Sequence, residues 1–180
     1  MNDRLDEQEL AGARLLVAYT SEGDDLDHVG RAAVRLAGEH GARVILYDRD
    51  AASAFSDPWP NQWASKGEGT QFSDPLSDEE LVKLGREPLA RQVTAAREQG
   101  VDAWAWLPEK HGTDELVEYA RRHGADAILL PEDLDEPGLA ERLKGETLDK
   151  AVDAVEEAPT GIAVLLVTPD GATSLAAGRL

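Results

Sequence analysis

Five short apolar runs punctuate the chain: Leu15–Tyr19, Val44–Tyr47, Ala103–Leu107, Ala127–Leu130 and Ile162–Val167. Near-continuous aliphatic and aromatic runs of this length read as strands buried on both faces, the habit of a parallel sheet. Between them, apolar residues recur at helical spacing. Leu26, Val29, Ala33 and Leu36 form one such face, and His40-Gly41 closes it with a residue that tolerates positive φ. Ser77-Asp78-Glu79-Glu80 is a capping box that opens a second helix, with Leu81, Leu84, Leu89 and Val93 inward. Pro88 lacks an amide hydrogen, so a break is expected near Gly85–Pro88. Thr113 caps a third helix that carries Leu116, Tyr119 and Ala120 and stops at Gly124. A fourth runs through Leu148, Val152 and Val155 to Pro159.

Strands alternating with helices make βαβ units, and their crossovers place helices on both faces of one parallel sheet. The expectation is therefore an α/β protein, a three-layer α/β/α sandwich around a five-stranded parallel sheet. The domain spans 13–170, between a polar tail at 1–12 and a C-terminal tail at 171–180. Residues 50–77 are an insertion between the second strand and the second helix. Most of it is rich in Ser, Gly, Pro and Asp and has no period, and a loop that long is either functional or disordered.

A formal charge of -18, from 36 acidic and 18 basic side chains, makes nucleic acid and membrane surfaces poor partners. The polar, acidic N-terminus is neither a signal nor a transit peptide, and no apolar run is long enough to span a bilayer, so a cytoplasmic protein is expected. Cysteine is absent, which removes disulfides, thiolate metal sites and cysteine nucleophiles together.

Candidate chemistry is sparse. Asp24, Asp25 and Asp27 follow the first strand and could hold a cation, but carboxylates in a helix's first turn also offset its dipole. The acidic loop Glu132–Glu136 lacks the spaced oxygens and turn glycine of an EF-hand and reads as a solvated turn. The histidines, His28, His40, His111 and His123, show no metal-ligand spacing, and no metal site is expected. His40 and His123 precede helix-ending glycines, where a cation suits the dipole. Ser21 has no nucleophile-elbow glycines, and a Walker lysine loop is missing, so no catalytic residue is assigned. Trp104 and Trp106 alternate on one strand and point to one face as core. Trp59 and Trp63, in the polar insertion, suggest either a partner-binding patch or a satellite cluster.

The last third resembles the universal stress protein family in the order of its parts. Tyr119 to Leu130 gives a helix end, Ala125-Asp126 and an aliphatic strand; Ala158-Pro159 and the strand Ile162–Val167 follow. The likeness covers about 14–48 and 78–168. It implies the strand order 3-2-1-4-5, with the last strand at the edge, and hence a homodimer built on Ile162, Val164 and Leu166. Many members bind ATP through an acidic residue ending the first strand and a loop of the form Gly-x2-Gly-x9-Gly-Ser/Thr, while others lack that loop. Here Pro131 takes the place of the first glycine and Leu134 that of the second. Gly145 matches the third only with a one-residue insertion, and Glu146 replaces the hydroxyl residue. The first strand ends Thr20-Ser21-Glu22, without the acidic residue in its usual place. The resemblance thus implies a non-catalytic stress or regulatory module, acting through an unidentified protein partner and without a cofactor. The alternative is an adenine-nucleotide sensor that takes ATP with magnesium through altered loop chemistry.

Overall fold

Strands and helices alternate as the apolar runs predict. The computed structural model describes residues 10–21, 26–48, 75–108, 113–134 and 162–177. In chain order these carry β1 (Leu15–Thr20), α1 (Asp27–His40), β2 (Arg43–Asp48), α2 (Asp78–Lys83), α3 (Glu87–Glu98), β3 (Asp102–Trp106), α4 (Thr113–Arg122), β4 (Ala127–Pro131), β5 (Ala163–Val167) and β6 (Thr173–Ala177). The expected helix around Leu148–Val155 lies outside the described residues, as do Trp59, Trp63 and most of the insertion. No helix among the described residues is long and apolar enough to cross a membrane.

The six strands form one sheet in the order β3-β2-β1-β4-β5-β6. The first five are parallel in the expected order. The sixth runs antiparallel on β5, and this corrects the sequence reading twice. Residues 173–177 are a strand rather than part of a tail. Ile162, Val164 and Leu166 therefore do not lie on an open edge, because β5 is hydrogen-bonded to β4 on one side and β6 on the other. The turn into β6 is Thr168-Pro169-Asp170-Gly171, with Gly171 at φ 85° donating to the Thr168 carbonyl at 2.8 Å. Proline presets the first turn residue and glycine supplies the positive φ. The N-terminal boundary also shifts, since Leu10 is fully buried in the core.

Each sheet face covers its own core. Val29, Ala33 and Leu36 of α1 and Leu89 and Val93 of α3 pack on one face over Leu16, Val44, Leu46 and Ala103. Leu116, Tyr119 and Ala120 of α4 cover the other, over Val17, Ile45 and Ile128. The break before Pro88 is a full stop between two helices. Arg86 N–H donates to the Leu81 carbonyl at 2.9 Å and Gly85 N–H to that of Val82 at 3.0 Å, with Gly85 at φ 72°, a Schellman ending. The Ser77–Glu80 capping box is present in both directions.

The β3 edge is closed by the chain itself. Leu76 makes an isolated antiparallel bridge with Ala105, through hydrogen bonds of 2.7 and 3.0 Å. The Ala103 carbonyl accepts from Arg97 Nε at 2.9 Å. Arg97 also donates to Asp78 at 2.6 Å and lies 4.8 Å from the ring centre of Trp104. The Thr94 hydroxyl, first, and then Arg97 hold the Asp78 carboxyl below its usual range, against burial pushing the other way. Burial pushes Asp102 upward, but hydrogen bonds from Arg43 and Trp104, each 2.7 Å, outweigh it and keep this carboxyl low as well. Trp104 is accordingly only half-buried at this rim, whereas Trp106 is core as expected.

Candidate functional site

In an open α/β sheet the chain leaves β1 in one direction and enters β4 from the other, so a crevice opens above the carboxyl ends of these neighbours. Here β1 and β4 are paired from Leu16–Ala127 to Ala18–Leu129. Thr20 and Ser21 end β1 fully buried, and Thr20 Oγ1 donates to the Tyr47 carbonyl at 2.9 Å, tying the ends of β1 and β2 together. Below this rim the α4 face is filled with rings. Tyr19 stacks on Tyr47 at 5.3 Å, Tyr47 meets Trp106 edge-on at 5.2 Å, and Trp106 stacks on Tyr119 at 3.6 Å. His123 continues the series against Tyr119 at 4.2 Å. Aromatic residues at the ends of three adjacent strands thus occupy the floor on that side.

Asp48 ends β2 with no exposed surface and pairs with Arg86, whose side chain is only 12% exposed. Arg86 is the residue before α3, so this pair fixes the α2–α3 joint above the end of β2. Sequence reading missed it. An acid closing the second strand and an arginine 38 residues later carry no shared pattern.

The turn after β4 holds the residues that stand in place of the phosphate-loop glycines. Pro131 is the last residue of β4. Glu132 N–H donates to the Val167 carbonyl at 2.9 Å, pinning the turn to β5. Leu134 is fully buried, packed in the same cluster as Leu26, Leu130 and Tyr119. Gly145 and Glu146 lie outside the described residues. Two buried polar atoms flank the crevice without a hydrogen-bond partner among the described residues: His28 Nε2, from the first turn of α1, and Asp133 Oδ1, just past β4. Asp27 forms an ion pair with Arg31 at 3.1 Å, the helix-end role, while Asp24 and Asp25 lie outside the described residues. Among the described residues no group of three or more acids and histidines is placed to hold a metal.

A universal stress protein in complex with cAMP shares this architecture with a TM-score of 0.51 and 17% identity, over 88% of this chain and 98% of its own. A universal stress protein from Archaeoglobus fulgidus in complex with dAMP matches at 0.45 and 18% identity, over 84% and 96%. A member of that family from Burkholderia pseudomallei matches at 0.41 and 20%, over 73% and 88%. The chain matches no protein-family model and no curated protein. The fold of this chain is that of the universal stress proteins, with a sixth, antiparallel strand closing the β5 edge.

Proposed function

We propose that this chain is a non-catalytic universal-stress-type protein of the cytoplasm, a stress-response or regulatory module that acts through protein contacts rather than through ATP. The observation that carries this reading is the backbone accounting after β4. A phosphate cradle needs amide hydrogens free to point at the anion and no side chain in the way. Pro131 has no amide hydrogen, that of Glu132 is spent on β5, and the Leu134 side chain is part of the core. Exposed Glu132 adds a negative charge where a phosphate would add more. Calorimetric titration with ATP is expected to show no binding at millimolar nucleotide, with magnesium or with chelator. A dissociation constant below about 100 µM in either condition overturns the reading.

A second reading, a nucleotide sensor with altered loop chemistry, is favoured by the crevice's two orphaned polar atoms and by the cAMP held by the similar fold. Buried polar atoms without partners are costly, and a ligand would relieve them. The same titration, repeated with cAMP, decides between the two.

The first protein contact in the proposal is a second copy of this chain, paired through β6. Support comes from the asymmetry of the sheet. β3 is sealed by Leu76 and Arg97, whereas among the described residues nothing is paired to the outer side of β6. Thr168 N–H donates to the Ala172 carbonyl, and antiparallel alternation then turns the Thr173 N–H outward. Light scattering should report a dimer at tens of micromolar, and Thr173→Pro, which removes that donor, should leave a folded monomer. A monomeric unmodified chain sinks the contact.

A further inference from the structure

A cavity of about 490 Å³ runs between α1 and α3, on the sheet face opposite the aromatic series. Its size falls in the range of small-molecule sites, roughly 300–1,000 Å³. Leu46, Val34 and Ala96 give it an apolar floor, and Arg31, Arg91 and Gln92 stand on its walls. We infer that this groove binds a small amphipathic anion, its acidic head between Arg31 and Arg91 and its apolar body along Val34 and Ala96.

Three observations converge. The first is register. Arg31 precedes Arg43 by twelve residues and Arg91 precedes Asp102 by eleven, and Arg43 and Asp102 are partners in the sheet. Both helices lead into these paired strand starts, and both arginines line the same groove. The second is charge. Arg31 is engaged by Asp27 across one helical turn, but Arg91 has no ion pair among the described residues. Two arginines against one carboxylate leave the groove cationic in a chain of formal charge -18. At the ionic strength of a cell, fields fade over about 8 Å, so these near charges outweigh the distant acidic surface. A planar guanidinium also suits a carboxylate or phosphate head better than an ammonium does.

The third observation is Gly30, inside α1 and on the groove wall. A helix-interior glycine costs about 0.5–1 kcal/mol relative to alanine. Crowding does not require it: a Cβ there would meet Thr20 Cγ2 at 3.5 Å, Gln92 Oε1 at 3.6 Å and Leu46 Cδ2 at 3.8 Å, all ordinary contacts. The missing side chain leaves to the groove the room that a Cβ between Gln92 and Leu46 would take.

The test uses the full chain with sodium octanoate, octyl phosphate and octan-1-ol as probes, followed by calorimetry and by amide chemical shifts. Octanoate or octyl phosphate should saturate with a dissociation constant below about 1 mM, and the stronger of the two identifies the head. Shifts should concentrate on Gly30, Arg31, Arg91 and Gln92. Arg91→Glu should weaken binding at least tenfold, as should Ala95→Trp, which fills the groove from an exposed position without touching the core. Unchanged melting temperatures would show that both variants fold. The inference is overturned by any of three results: no saturation with either anion at about 5 mM, octan-1-ol binding as tightly as the anions, or binding that survives Arg91→Glu.

Discussion

Replacing Asp48 by alanine is expected to cost this protein about 3–5 kcal/mol of stability, the scale for breaking a buried ion pair from one side. The carboxylate has no exposed surface, and the Arg86 side chain opposite it is only 12% exposed. With Asp48 gone, the guanidinium loses this buried carboxylate in a poorly solvated place. At a urea slope of about 2 kcal/mol/M the unfolding midpoint should fall by roughly 2 M. The cost lies in the stranded partner rather than in the lost attraction. Adding Arg86→Met to Asp48→Ala should therefore restore more than half of the loss. A single-variant loss under about 1 kcal/mol, the range of exposed pairs, would show that water reaches the carboxylate after all.

The second large effect is expected at Trp106. Its ring is 3% exposed and lies between Tyr47 and Tyr119, so it touches aromatic partners on two sides. Truncation to alanine removes the burial of a large ring, leaves a void in a close-packed face and uncouples the two tyrosines. Such changes cost about 3–5 kcal/mol. Trp106→Phe keeps a ring in the stack and should recover most of that. Urea unfolding gives the energies, and near-ultraviolet circular dichroism should lose its aromatic signal in the alanine variant while the far-ultraviolet spectrum persists. A loss below about 1 kcal/mol, no more than an average substitution, would mean that this face is loosely packed.

One parallel sheet of five strands was legible because each is a nearly pure apolar run separated by a helical period, while the order of those strands was implied by the resemblance to the universal stress proteins. β6 was not legible from the same signal. Thr-Ser-Leu-Ala-Ala is neither strongly apolar nor rich in strand-formers, and Leu175 is its hydrophobe packed against the core. It is a strand because β5 offers it an edge. A signal present in the sequence, at the start of the expected tail, is the Pro169-Asp170-Gly171 turn, whose residues favour a chain reversal. At the crevice, the departures at Pro131 and Leu134 could be read directly. What could not be read was that Leu134 turns into the core and that the Glu132 amide is taken, because both depend on where β5 lies. The Asp48–Arg86 pair and the two arginines lining the groove share that limitation: each joins residues from separate helices or strands, and proximity arises only once the sheet is assembled.

The sealed β3 edge has a consequence for how far this protein can polymerise. Growth by strand addition requires a free rim at each side of the sheet, one to accept a neighbour and one to offer onward. Leu76 and Arg97 occupy the β3 rim, so an incoming strand would first have to displace the bridge and the guanidinium. Two chains joined through β6 then present only blocked sides to solution. Association through the proposed β6 contact would therefore be self-terminating, a closed pair rather than the first link of a ribbon.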